Sequence, residues 1–389
     1  MSVAAKIYNR MLLNRIYDPV NSLLRPEQSG FRRGRSCIEQ IHTLRRLMEG
    51  FHKKQLTLVS TFIDFRKAFD FIDKGKIHEI LRHYGIPPKI ASAIMILYDN
   101  IKSSVMIDGR MSTQFYVTKG VLQGDTLAPF LFVIVLDYIL RQTELGSYGV
   151  PTHQDKILHD LDFADDIVFF DKDAEAAADH VTHLQETASS VGLNINFQKT
   201  KAIFINSDLV PIHIRNQQIE LVDDFHYLGS MIASSVEDLK RRRGLAWTVF
   251  WRLESVWRSP TLSLPTKLRL FDSLAISVMF YASEAWPVNA EMARLINSFA
   301  TNAYRVMTGV RRLDRVHNST VLTSVNRREL IYTLQSRQLR FLGHLLRSER
   351  AVYALYKPQH GSTRRGRPRT NFIGYIQKLT GRQLTELTD

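Results

Sequence analysis

Apolar and polar positions follow two different periods along this chain, and the switch between them divides it. In residues 1–17, Ile7, Met11, Leu12 and Ile16 fall near helical spacing and predict a helix. A second helix is expected over 36–51, with Ser36 as N-cap and Glu39 three residues on, as in a capping box. The runs 59–63 and 167–170 are β-branched and aromatic, and each predicts a buried strand. Residues 75–100 read as helical with a break at Pro87-Pro88, where the first proline restrains Ile86 to an extended backbone. Strands at 104–107 and 114–118 flank Asp108-Gly109, a turn dipeptide. The apolar run 127–136 predicts a helix capped by Asp125 or Thr126 with Pro129 in its first turn. An Ala-rich helix over 174–191 stops at Gly192, and 201–205 is a further strand. From about residue 234 the pattern becomes that of Arg-rich amphipathic helices. Leu239, Ala246, Phe250, Leu253 and Trp257 share one face of the first, and further helices are expected over 267–282, 291–307 and 329–346. Trp247, Trp251 and Trp257 are assigned to packing.

Charge sharpens this division. Of the 389 residues, 233–389 hold 26 Lys+Arg against 11 Asp+Glu, whereas 1–232 hold 26 against 27. A polyanion gripped by the second part while chemistry occurs in the first is the simplest physical reading. The lone Cys37 excludes an internal disulfide and a zinc knuckle, and fits a reducing compartment. The most apolar helix candidate has about half of the ~20 residues needed to cross a bilayer, so a soluble, intracellular protein with no membrane partner is expected.

The chemistry centres on residues 158–170, LHDLDFADDIVFF, read as a hairpin with Asp165 and Asp166 at or beside its turn. Adjacent carboxylates held against a sheet repel one another, and a multivalent cation would neutralise them. A solvated acidic turn is the plain alternative. Upstream, the run 59–63 delivers Asp64 at its end, so a third carboxylate could join the pair around two ions.

FIDFRKAFD, GVLQGDTLAPFLF, DFADD, GLNINFQKTK and FHYLGS occur in this order, and together they resemble the ordered blocks of reverse transcriptases of non-LTR retrotransposons. The likeness extends upstream to AAKIYNRMLLNRI and EQSGFRRGRSCIEQI, and downstream to GRPRT. It implies an α+β right-hand polymerase with partial fingers (1–56), a palm with an antiparallel sheet (57–232), a helical thumb (233–346) and a basic C-terminal extension (347–389). It also implies RNA-directed DNA polymerisation on an RNA template and DNA primer with deoxynucleoside triphosphates, using two Mg²⁺ ions or Mn²⁺ in their place. Asp64, Asp165, Asp166 and the Phe65 carbonyl would hold the metal, and Lys199 would protonate the leaving pyrophosphate. Phe69 would exclude a 2′-hydroxyl, and Gln123 and Gly124 would lie by the nascent base pair. Phe225, Tyr227 and Gly229 would position the primer end. Arg32, Arg33 and Arg35 of the QSGFRRG loop, with Arg364, Arg365, Arg367 and Arg369 of the Gly/Pro-broken tail, would meet phosphate oxygens. Phe163 stands where many relatives carry tyrosine.

In those relatives a finger segment bearing an arginine block precedes the first helix. The chain is therefore expected to be N-terminally truncated, and a catalytically impaired remnant that only binds nucleic acid is the rival reading. An RNA-templated RNA polymerase would carry a smaller or polar residue at Phe69, and a two-metal nuclease would leave the glycine and primer blocks without a role. Nuclear access is expected for an active enzyme.

Overall fold

The computed structural model describes residues 2–99, 101–122, 124–143, 148–151, 157–214, 216–348, 361–362 and 371–383. The chain divides into two compact units, one formed by residues 1–40 and 55–223 and the other by 41–54 and 224–389.

The first unit begins with helix α1 (Val3–Leu23), capped by Ser2, whose hydroxyl accepts from the Ala5 amide. Its buried face carries Leu12, Leu13, Ile16, Tyr17 and Val20, while Ile7 and Met11, expected on that face, are exposed. The next helix, α2 (Cys37–Lys54), leaves the first unit after Gln40. Six strands then form one sheet: β1 (Leu58–Ile63), β2 (Asp160–Phe163), β3 (Asp166–Asp171), β4 (Lys201–Ile205), β5 (Ile212–Ile214) and β6 (Gln217–Leu221). Their order is β5-β6-β4-β1-β3-β2, antiparallel except where β4 and β6 run parallel. Every residue of β1 is buried, because a central strand flanked on both edges and covered on its faces has no solvent side.

Two helices build the core with the sheet. Helix α3 (Ala128–Thr143) is apolar nearly all round and buried along most of its length, as a helix enclosed by its own domain must be. Asp125 opens it by accepting from the Leu127 amide, and also holds Asn9 Nδ2 (2.5 Å) and the Tyr98 hydroxyl (2.8 Å). Helix α4 (Ala174–Ser190) is capped by Asp173 and ends just before Gly192. Gly192 lies at φ +90°, and a Cβ there would stand 2.6 Å from the Phe71 carbonyl oxygen. The predicted Asp108-Gly109 turn is present, both residues with positive φ, joining Met106–Ile107 to Arg110–Met111.

In the second unit, a short hairpin of β7 (His226–Tyr227) and β8 (Ser230–Met231) precedes helix α5 (Ser235–Arg252), which Ser234 caps. Helices α6 (Ala290–Thr308), α7 (Leu330–Leu346) and α8 (Phe372–Thr380) follow, and Phe250, Trp257, Phe271, Trp286, Phe299 and Phe372 fill the core. The helix expected over 267–282 is interrupted: Leu264–Phe271 passes through a π-helical turn at Asp272–Ile276 and ends at Met279, and Ala282, which is left-handed, leads into a 3-10 turn at Ser283–Ala285. Trp257 is fully buried and donates to the Phe250 carbonyl, whereas Trp251, also expected in the core, is exposed and stacks on Trp247. Asp238 is a buried hub that accepts from Arg45, Ser230 and Trp286 side chains and from the Met231 amide. Among the described residues no helix is long and apolar enough to cross a membrane.

Candidate active site

Three aspartates meet at one end of the central strands. The β1–β3 register ends where Ile63 pairs with Ile167, so Asp64 follows the last paired residue of β1 at the end where Asp166 opens β3. On the other side of β3, Phe163 pairs with Asp166, so only Ala164 and Asp165 make the β2–β3 turn. That two-residue loop needs a positive φ, and Ala164 supplies it at +58°. The hairpin expected with Asp165 and Asp166 at or beside its turn is present, with Asp165 in the turn and Asp166 opening β3.

Electrostatics ties the three together. Burial pushes the Asp166 carboxyl up to about 6, with the charges of Asp165 and then Asp64 adding to the rise. Asp166 reaches solvent, and its carboxyl faces the negative charges of Asp165 and Asp64. Asp165 is raised too, by burial first and then by Asp64, against the lowering effect of its own backbone amide. Carboxylates that hinder each other's ionisation form a donor set a divalent cation would relieve. As the side chains stand, no three acidic, imidazole or thiol groups among the described residues converge on one ion position.

The loop 194–200 holds Asp64 in place. Its carbonyl accepts from the Asn196 amide at 2.7 Å, and its amide donates to Thr200 Oγ1 at 3.3 Å. The adjoining bridge of Phe65 with Ile195 is closed by the Asp64 carbonyl and the Arg66 amide, so this pairing does not spend the Phe65 carbonyl. Lys199 is exposed in the same loop, next to the threonine that holds Asp64. Phe69 is half-buried, stacked on Phe132 with ring centroids 4.3 Å apart and edge-on to Phe31. The glycine loop crosses beneath it: the Val121 amide donates to the Phe69 carbonyl, and Gly120, at φ +82°, leaves no room for a Cβ against the Asp70 carbonyl, 2.7 Å away. Gly124 is left-handed with open space beside it, and Gln123 lies outside the described residues.

The arginine loop departs from expectation. Arg32 is buried, and its guanidinium donates to Asn21 Oδ1, the Asn21, Arg25 and Gln28 carbonyls; it latches the loop and is not presented to a phosphate. Arg33 is exposed and lies 4.4 Å over the Tyr17 ring, and Arg35 is half-buried. In the second unit, Tyr227 is buried in the β7–β8 hairpin, whose turn is Leu228-Gly229, both with positive φ. The Gly229 carbonyl accepts from Arg242, and the Leu228 carbonyl from the Tyr281 hydroxyl. Phe225 accepts through its carbonyl from the Ile232 amide at the base of this hairpin. Arg364, Arg365, Arg367 and Arg369 lie outside the described residues.

Sequence reading passed over the residues that hold the acidic hairpin from behind. Arg25, buried at the end of α1, donates to Asp160 Oδ2 (2.8 Å) and Asp162 Oδ2 (2.5 Å), and its amide donates to Asp137 Oδ1 (2.8 Å). Asp137 also receives the Tyr84 hydroxyl and the Arg141 side chain. Burial and Asp160 raise the Asp162 carboxyl well above the usual range, with Arg25 opposing. The alternation HDLDF did carry a signal, since an aspartate at each inward position of a buried strand demands a cation or a proton.

Comparison with known proteins identifies the family. Residues 1–232 match the family model described as reverse transcriptase (RNA-dependent DNA polymerase). The Pol polyprotein of the type-2 retrotransposable element R2DM of Drosophila melanogaster is 29% identical over 200 residues, 51% of this chain and 18% of that protein. The RNA-directed DNA polymerase from mobile element jockey of Drosophila funebris is 24% identical over 302 residues, 73% of this chain and 32% of that protein. The chain thus spans a third or less of the length of these relatives. A telomerase of Candida tropicalis, solved with a fragment of telomeric RNA, aligns over 91% of this chain and 56% of its own at 11% identity and a TM-score of 0.42. With more than half of its length matched by that family model, and with relatives drawn from retrotransposable elements, this chain belongs to the reverse transcriptase family.

Proposed function

We propose that this chain is an RNA-directed DNA polymerase that adds deoxynucleotides to a primer 3′-hydroxyl. The observation that carries the reading is the placement of Asp64 at the end of β1 beside the hairpin end that holds Asp165 and Asp166, with both hairpin carboxyls raised by burial and by the charge of Asp64, and Asp166 by Asp165 as well. Asp64, Asp165, Asp166 and the Phe65 carbonyl would hold two divalent cations, Mg²⁺ or Mn²⁺, which when bound acidify the 3′-hydroxyl and neutralise the departing pyrophosphate. The aspartates fix where the triphosphate and primer end must stand. Lys199, exposed beside Thr200, offers a proton to the leaving group. Phe69 is held by its stack on Phe132 and presents a rigid ring against which a 2′-hydroxyl would clash. The Leu228-Gly229 turn orients the primer strand, and the Lys/Arg excess of residues 233–389 supports a grip on template and primer phosphates.

Primer extension on poly(rA)/oligo(dT) tests this. The chain is expected to incorporate dTTP, and Asp165→Asn to lose activity by about 10²–10³-fold or more while still binding the duplex. Phe69→Ala is expected to narrow the preference for dGTP over GTP on a poly(rC) template. Duplex binding by the unaltered chain without any extension would instead identify a remnant that only binds nucleic acid.

A further inference from the structure

The turn that carries Asp165 is shaped from outside the hairpin, by a glutamine 136 residues away in sequence. Gln28 is fully buried, and its Oε1 accepts two backbone amides at once, Ala164 at 2.9 Å and Gly30 at 2.7 Å. Both neighbours are donors, so the oxygen and not the amide nitrogen must face them. Around this contact the loop adds itself to the edge of β2: the Ser29 amide donates to the Asp162 carbonyl, Gln28 bridges Asp162, and Gln40 Nε2 donates to the Glu27 and Asp162 carbonyls. Gly30 completes the fit, because a Cβ there would lie 2.1 Å from the Ala164 nitrogen. Ala164 holds a left-handed conformation that non-glycine residues rarely adopt, so something beyond the hairpin must secure it.

We propose that Gln28 is a positioning residue for the acidic hairpin: its carboxamide oxygen fixes the Ala164-Asp165 turn, with Gly30 leaving the space, and so sets where the Asp165 and Asp166 carboxylates stand. The inference rests on the reading of those carboxylates as cation holders. A displacement of about 1 Å in such a site costs on the order of a hundredfold in rate. Gln28→Met keeps the length of the side chain and removes the acceptor, whereas Gln28→Glu keeps an oxygen in the same place.

The test measures amide exchange by mass spectrometry together with primer-extension kinetics on the full chain. In Gln28→Met the segment 158–170 is expected to exchange at least tenfold faster while 201–205 is unchanged. Its kcat should fall tenfold or more, KM for dTTP should stay within about twofold, and the Mg²⁺ concentration for half-maximal rate should rise severalfold. Gln28→Glu should restore slow exchange and most of kcat. Wild-type exchange and turnover in Gln28→Met, or equal loss in both variants, overturns the proposal. Should Gln28→Met not fold, Gln28→Glu decides: a folded chain with a protected turn supports the acceptor role, and a loosened turn or a failure to fold overturns it. A wild-type chain that extends no primer refutes the reading of the site, and the exchange data still decide whether Gln28 holds the turn.

Discussion

Two neighbouring arginines, identical in type and one position apart, have opposite employment. Arg32 is enclosed, and its fork of donors is spent on Asn21 and three carbonyls, while Arg33 lies exposed across Tyr17. A lysine cannot reproduce a planar fork with several partners. Arg32→Lys should therefore lower stability by roughly 1–3 kcal/mol in urea unfolding, through the carbonyls it leaves unpaired, with little change in the salt dependence of duplex binding. Arg33→Ala should do the reverse, leaving the urea midpoint in place and reducing the slope of log affinity against log salt by about one. A shallower salt slope in Arg32→Lys would return that residue to the phosphate-binding set. Sequence could name the loop's chemistry but not separate these roles, since which arginine turns inward depends on Asn21, which leaves no mark near the loop.

Strands and turns were legible because their signals are local. β1, β3 and β4 follow from β-branched and aromatic runs, Asp108-Gly109 from a turn dipeptide, and the three aspartates from acidic residues at strand ends. Hidden instead were the elements held by partners far along the chain, such as the Glu27–Gly30 segment on the edge of β2 and the passage of α2 into the second unit. Gly30 marks a turn and α2 is a legible helix, but nothing local says that the first packs on the Ala164 backbone or that the second changes unit after Gln40. The β2 strand shows the energetic side of this. Asp160 and Asp162 are buried beside one guanidinium, that of Arg25. Removing one partner of a buried ionic group leaves the rest uncompensated, at a cost of about 3–5 kcal/mol. Arg25→Ala is expected to destabilise the first unit by that amount in urea, and more steeply above the pH at which Asp162 loses its proton. A loss below about 1 kcal/mol would mean that Arg25 contributes little to holding β2.

Over the whole molecule, charge and burial are distributed by different rules. The cationic excess lies in residues 233–389, whereas phenols are buried in both units: Tyr84 and Tyr98 in the first, Tyr304 and Tyr375 in the second. Burial raises all four, Asp137 and Asp125 adding to the rise at Tyr84 and Tyr98, and Tyr304 and Tyr375 are each pushed up to about 12. A phenol whose folded pKa exceeds its unfolded value of about 10 keeps its proton in the native state after the unfolded chain has lost it. The unfolded state then binds fewer protons, so stability falls as pH rises from about 10 to about 12, and below 10 the contribution is intact. Each of Tyr304 and Tyr375 withdraws up to roughly 2–3 kcal/mol across that window, enough together to remove a large part of a typical domain's stability. The 14 tyrosines should accordingly titrate in two stages. Tyrosinate absorbance from phenols outside the core should appear first, with no change in far-ultraviolet circular dichroism. The buried ones should appear later, in a steep step coincident with loss of helix signal. A single smooth titration near pH 10 with the fold intact would show that these phenols reach solvent, and would contradict the packing of Tyr304 and Tyr375 in the helical core.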